Sequence, residues 1–282
     1  MTTEHRLRIG DRDVLLVEGA AGWGECSPLP GYPCDPVLAR EAAFEAAEIG
    51  WPTRVRDEVA VNALVVGDVG AAPDLAAFAT VKVKVGRGDP AADVERVARV
   101  RDLVGPHTRL RVDANGAWDL ETAVAVLDQM ARYDLEFAEQ PVAALDDLAA
   151  VRRQVVVPIA ADECVRSVDD SRRLAATHAA DVLVVKVQPL GGVRAALRVA
   201  EAAEVPIVVS SMMETSVGIA AGLALACALP ELPYACGLAT LSELAGDVVT
   251  TPLGAVDGWL RVPAVFPPVP ACELLDRYSV AP

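Results

Sequence analysis

Residues 80–86 read TVKVKVG and residues 109–118 read RLRVDANGAW, and the fold turns on these two stretches. In the first, β-branched residues alternate with lysine, which is the period-2 pattern of a strand. Lys82 and Lys84 then share one face, and Val81, Val83 and Val85 share the other. An edge strand can carry such a charged face by snorkelling, but a closed barrel has no edge. In a barrel the lysines point inward and the valines meet helices. The second stretch has the same build: Arg111 and Asp113 share a face, and Asn115-Gly116 breaks the strand.

Working outward, the strand candidates are 59–66, 80–85, 109–114, 135–139, 155–160, 181–187, 205–210 and, more weakly patterned, 235–238. Between them lie stretches of helical periodicity, such as 90–103, 120–133 and 192–203, with Asp89-Pro90 and Asp119 as helix starts. A strand-to-strand spacing of about 20–29 residues predicts βα units and a parallel sheet. Seven or eight such units in one run predict an α/β barrel rather than two doubly wound domains. Residues 1–58 break the rhythm: a strand pair at 5–9 and 14–18, a turn-rich segment at 22–36, then a helix at 36–48. The expected organisation is a small α+β capping domain at 1–58, the barrel at 59–250, and a Pro-rich tail at 251–282 that packs back on the cap.

The chain has 282 residues, of which 53% are hydrophobic and 23% charged, enough for a large core. Its 25 basic and 40 acidic residues give a net charge of −15, which argues against a nucleic-acid or anionic-membrane partner. Six scattered cysteines form no zinc or disulfide pattern, the first ten residues have no apolar leader, and the longest apolar run, 219–229, is too short to span a bilayer. The cytoplasm is the expected location. Of the 25 basic residues only three are lysine: Lys82, Lys84 and Lys186. Arginine stays protonated in a protein, whereas lysine can act as a base when its pKa is depressed, so the surviving lysines are candidates for chemistry.

In a βα barrel the C-terminal strand ends converge on the site. Read in order, those ends give Lys82 and Lys84, then Asp113, Glu139, Asp162, Lys186 and Ser210-Ser211. A strand-end carboxylate often only caps the next helix, but three on successive strands can meet at one hard cation. Oxygen ligands alone favour Mg²⁺ over zinc, with Mn²⁺ an alternative. Lys82 and Lys84 side by side should lower each other's pKa, and Arg111 adds a permanent positive charge near them. With the metal, the site would then suit a small anionic substrate despite the acidic chain.

Five segments in order, VKVKVG (81–86), RVDANGAW (111–118), AEQP (138–141), ADE (161–163) and VVKV (184–187), resemble the enolase superfamily and within it the muconate-lactonizing subgroup. GWGECSPLPGYP at 22–33 resembles the mobile cap loop of that family. The resemblance implies a modified TIM barrel, (β/α)7β. It also implies Mg²⁺ ligands at Asp113, Glu139 and Asp162, a base at Lys84, an opposite-face lysine at Lys186, and supporting residues at Asn115 and Glu163. The short cap and the Arg-x-Asp element resemble the o-succinylbenzoate synthase family, in particular its actinobacterial branch. That resemblance implies a dehydratase acting on a succinyl-hydroxycyclohexadiene carboxylate, with Lys186 over the ring and Ser210 and the Gly237 backbone at the succinyl end. An N-acylamino-acid racemase or dipeptide epimerase would use the same two lysines. Dipeptide epimerases usually carry acids at the eighth strand end, and here 236–240 reads CGLAT. A barrel that binds metal or metabolite without catalysis is the third reading. The oligomeric state is not assigned.

Overall fold

A computed structural model describes residues 2–67 and 75–280. Residues 1, 68–74 and 281–282, which belong to the expected cap, barrel and tail ranges, lie outside the described residues.

The chain opens with an antiparallel sheet in the order β1 (Thr3–Ile9), β2 (Arg12–Gly19) and β3 (Gly22–Cys26). Leu7, Ile9, Val14 and Leu16 point to one buried face and form a small core with Trp23, Val217, Val248 and Val249. The third strand was expected to be part of a turn-rich segment. Two glycines in five residues give it little strand propensity, and it forms because it hydrogen-bonds along β2 from Leu15 to Gly19. Gly24 is required there: a Cβ would stand 2.0 Å from the carbonyl oxygen of Ala43 in helix α1 (Pro36–Phe44). Asp35 caps α1 by accepting from the Val37 amide, and Pro36 fills the first turn, where no amide donor is needed. The helix continues as a π-helical turn, Glu45–Ile49.

The expected strand at 59–66 divides into β4 (Glu58–Ala60) and β5 (Ala63–Val65). The split reflects a change of partner. β4 pairs antiparallel with a strand near the C-terminus, whereas β5 opens the parallel sheet. That sheet runs in chain order through β6 (Thr80–Lys84), β7 (Arg109–Asp113), β8 (Leu135–Glu139), β9 (Ile159–Ala161), β10 (Val182–Val185) and β11 (Ile207–Val209). The strand expected at 155–160 starts four residues later. Pro158 has no amide to donate, and Val156 lies exposed in the preceding turn.

The segment 235–238 closes the sheet. The Cys236 amide donates to Ala60 O and the Asn62 amide to Cys236 O, at 2.7 and 3.0 Å. On the other side the Gly237 amide donates to Val209 O at 2.8 Å. Eight strand positions thus form a ring, the eighth as isolated bridges.

Helices α2 (Pro90–Val104), α3 (Leu120–Met130), α4 (Leu145–Arg152), α5 (Val168–Thr177) and α6 (Val193–Ala203) cover the outside. Asp89 and Asp119 cap α2 and α3, as their sequence positions predict. Val81, Val83 and Val85 face these helices in the main core, while Lys82 and Lys84 face inward. Helix α7 (Ser216–Ala228) is apolar almost all round and packs between β3 and β11. It carries nearly all of the longest apolar run of the sequence, 219–229, buried as core. Among the described residues no helix is long and apolar enough to cross a membrane.

The tail supplies β12 (Trp259–Arg261), the partner of β4, and α8 (Cys272–Tyr278). Leu275 and Tyr278 of α8 pack on the Leu7–Ile9 core, and the Val280 amide donates to Arg6 O at 3.0 Å.

Candidate active site

All three lysines of the chain line one pocket at the C-terminal mouth of the ring, together with Asp113, Asn115, Ser210, Met212 and Gly237. Leu29 and Tyr32 close it from the cap, leaving about 60 Å³ of free space. The register explains the convergence. β6 and β7 pair Lys84 with Asp113, and β7 and β8 pair Asp113 with Glu139, so charged residues end neighbouring strands at one level. Lys82 Nζ lies 3.1 Å from Asp113 Oδ2 and 3.0 Å from Glu139 Oε1. Lys84 Nζ donates to Asp113 Oδ2 at 2.6 Å and to Asn115 Oδ1 at 2.8 Å. Lys186 Nζ donates to Asp162 Oδ2. Asn115, in the left-handed region at φ 47°, also donates to Glu163 Oε1 at 2.8 Å and so joins Lys84 to Glu163.

These contacts reverse one expectation. Lys82 was expected to be depressed by the neighbouring lysine. Burial does oppose its charge, but Glu139 and Asp113 outweigh burial and hold the ammonium above its ordinary range. Lys186 behaves alike, with Asp162 as the chief partner. Burial also raises Asp113, yet Lys82 and Lys84 keep it well below the usual carboxylate range. Four carboxylates, counting Glu163, face three ammonium groups; burial and Asp113 push Glu139 up to about 8, and burial and Asp162 push Glu163 up to about 7.

The family described as enolase C-terminal domain-like matches residues 65–266, and the family described as enolase N-terminal domain-like matches residues 1–47. The chain is 57% identical to a Thermobifida fusca protein named o-succinylbenzoate synthase, over 89% of this chain and 81% of that protein. A Mycobacterium tuberculosis protein of the same name is 44% identical, over 92% of this chain and 81% of its own length.

The chain belongs to the o-succinylbenzoate synthase family of the enolase superfamily.

Solved structures agree on the enolase-superfamily fold. Muconate lactonizing enzyme from Pseudomonas fluorescens, in complex with muconolactone, superposes with a TM-score of 0.86 at 21% identity, covering 99% of this chain and 98% of that one. A dipeptide epimerase from Enterococcus faecalis superposes at 0.77 with 24% identity, covering 93% and 95%. Enolase-superfamily members generally use Mg²⁺.

Ser210 and Gly237, the residues expected at the far end of the substrate, adjoin each other: the Ser210 hydroxyl lies 3.5 Å from Gly237 O, and a Cβ at 237 would stand 2.5 Å from it. Arg111 falls elsewhere. It shares a face with Asp113 but sits two residues, about 7 Å, deeper in the barrel. Its Nε donates to Glu136 at 2.5 Å, its Nη1 donates to Ala235 O at 2.8 Å, and its guanidinium lies 4.5 Å from the Phe137 ring centroid. Its charge is paired with Glu136 there, and it meets the pocket lining through Asn62, whose Oδ1 lies 3.4 Å from its Nη1. At the Gly191-Gly192 turn before α6 the chain itself supplies a carboxylate: Glu45 accepts from the Arg194 amide at 3.2 Å.

Two residues at the site escaped the sequence reading in whole or part. Gln140 follows Glu139 directly, and its Oε1 accepts from the Asp162 amide at 2.7 Å, fixing that strand end. The signal was a buried polar residue inside AEQP. Tyr32, inside the cap segment GWGECSPLPGYP, donates from its hydroxyl to Asp162 Oδ1 at 2.8 Å, and its ring centroid lies 4.1 Å from Lys186 Nζ.

Among the described residues no three Asp, Glu, His or Cys groups already face one another as a cation cage. Lysine ammonium groups stand against the carboxylates instead. The donor chemistry nevertheless fits a hard divalent cation: Asp113, Glu139 and Asp162 are buried, all-oxygen, and on successive strand ends, and the mouth carries a surplus carboxylate.

Proposed function

We propose that the chain converts 2-succinyl-6-hydroxy-2,4-cyclohexadiene-1-carboxylate to o-succinylbenzoate by loss of water. The observation that carries this reading is a single pocket holding all three lysines beside strand-end carboxylates, in a chain 57% identical to a protein of that name. A Mg²⁺ ion, or Mn²⁺, held by Asp113, Glu139 and Asp162 would take over the carboxylates that now engage the lysines and supply positive charge beside the substrate carboxylate. Lys84 is the base. It takes the proton α to the carboxylate, and the C–H electron pair becomes the new ring double bond. The bond from the neighbouring carbon to its hydroxyl breaks, and that oxygen leaves as water with a returned proton. Lys186, on the opposite side, stabilises the anionic ring as a cation over its face. Asn115 and Glu163 orient Lys84, Lys82 holds Asp113 and Glu139 in place, and Ser210 with the Gly237 backbone receives the succinyl end. The cap of residues 1–58 with the tail from 251 covers a barrel of 59–250, working in the cytoplasm on a small carboxylate.

The test is turnover of the cyclohexadienyl acid by the full chain, followed as the product becomes aromatic, with Mg²⁺ and then with chelator. Rapid conversion that chelation abolishes is the expected result. Slow conversion beside fast α-proton exchange in N-acylamino acids would move the chain to a racemase on the same scaffold.

A further inference from the structure

Ser27 is buried at the point where β3 leaves the cap sheet and the segment 28–34 begins. Three other parts of the chain grip it. Arg12, buried on β2, donates through Nη2 to Ser27 O and through Nη1 to Met212 O at 3.1 Å and Met213 O at 3.4 Å, beyond the end of β11. Gln188, two residues past Lys186, accepts from the Ser27 amide at 2.8 Å, while its Nε2 donates to Ser27 Oγ and Glu214 Oε1, both at 3.3 Å. The Ser27 hydroxyl donates to Glu25 at 2.6 Å, and Glu25 accepts from the Thr215 hydroxyl and from the amides of Thr215 and Gly218 at the start of α7.

The far end of the segment is anchored to the same place. Asp35 caps α1, and α1 packs against the turn Gln188–Leu190. Segment 28–34 is therefore strung between two points that both rest on the turn following Lys186. Between them Leu29 and Tyr32 reach the pocket, and Tyr32 touches Asp162 and Lys186. A guanidinium carries its donors in a rigid planar fork, so carbonyls bound to one arginine are held at fixed separation. Arg12 thus sets the distance between the root of the cap segment and the Met212 wall of the pocket.

We propose that Arg12 and Gln188 are positioning residues that hold cap segment 28–34 in register with the ends of β10 and β11, and so set the closure of the pocket over substrate. Only the kinetic part of this rests on the proposed function. The test compares Arg12→Met and Arg12→Lys with the natural chain, first by amide hydrogen exchange of residues 28–34 without metal or substrate. Arg12→Met is expected to speed exchange in that segment by about tenfold, the equivalent of losing one to two buried hydrogen bonds, with Arg12→Lys in between. In turnover with Mg²⁺, Arg12→Met is expected to raise KM about tenfold while kcat per folded molecule changes less than about threefold. A purely structural arginine would lower the folded fraction and leave KM alone. Should Arg12→Met fail to fold, Gln188→Met removes the Ser27 and Glu214 contacts at similar volume and carries the same expectations. Unchanged exchange at 28–34 in a folded variant, or a kcat loss at constant KM, overturns the proposal. Absence of turnover in the natural chain would overturn the proposed function, and the exchange result would then decide the clasp by itself.

Discussion

The barrel buries charge at two levels, and the two are built differently. At its deep level Arg111 is closed off: it pairs with Glu136, donates to a carbonyl of the eighth strand position, and lies against the rings of Phe137 and Tyr234. At the mouth, three lysines face four carboxylates beside a small pocket, and two of the lysines share partners: Asp113 holds Lys82 and Lys84, and Lys82 holds Asp113 and Glu139, while Lys186 holds Asp162 alone. A charge sealed deep in the barrel among fixed partners is a structural part. Charges that can exchange partners when a cation or substrate arrives are the raw material of chemistry. The distinction lies in the depth along the strand, because Arg111 and Asp113 share the same face of β7.

Substitutions at the two levels should separate function from stability. Glu139→Gln is expected to have the largest effect, lowering turnover about a thousandfold, as for loss of a principal electrostatic group. Thermal melts should show its metal-free stability little changed, since three carboxylates still face three lysines, while the stabilisation that Mg²⁺ gives the natural chain disappears.

Arg111→Leu should do the reverse. Removing the guanidinium leaves Ala235 O without its side-chain donor and Glu136 with Arg109 alone, 3.5 Å away, which costs about 3 kcal/mol in denaturant unfolding, yet the Mg²⁺-induced rise in Tm persists. Equal metal responses in the two variants would break the comparison.

The cap network gives a smaller, pH-dependent effect. Glu214 is buried and pushed up to about 7 by burial and by Glu25, with Arg12 opposing. Cys34 is the other titratable group near it. The Glu214 pKa is raised on folding, so the folded chain holds that carboxyl proton more tightly. The stabilisation is complete below about 4.5, its ordinary value, and is lost as pH rises through about 7. Glu214→Gln should flatten the stability-against-pH curve in that window by up to about 3 kcal/mol. Tyr32→Phe should give the smallest change. Without the hydroxyl on Asp162, Mn²⁺ should bind about fivefold more tightly in a titration without substrate.

Much of the mouth was legible in sequence, because it depends on local rules. Strand periodicity put Lys82 and Lys84 on one face, and the successive strand ends gave Asp113, Glu139 and Asp162. The aspartates before α2 and α3 announced their caps. What was not legible depends on contacts between distant segments. Tyr32 meets Asp162 across 130 residues of chain, and Arg12 meets Met212 across 200. Periodicity shows which face a side chain takes, not how deep it sits, which is why Arg111 looked like a mouth residue. It also cannot show that residues 61–62 leave one sheet to pair with the eighth strand position.

The most direct test concerns Lys84. Lys84 is the proposed proton acceptor, and the cation falls to the three carboxylates. Turnover of the cyclohexadienyl acid should therefore be measured in Lys84→Ala alongside Mn²⁺ affinity. A loss of at least about a thousandfold in kcat, with Mn²⁺ bound as well as or better than by the natural chain, is the predicted result. Turnover within about tenfold of the natural chain would contradict it, and Lys84 would then be one more structural charge.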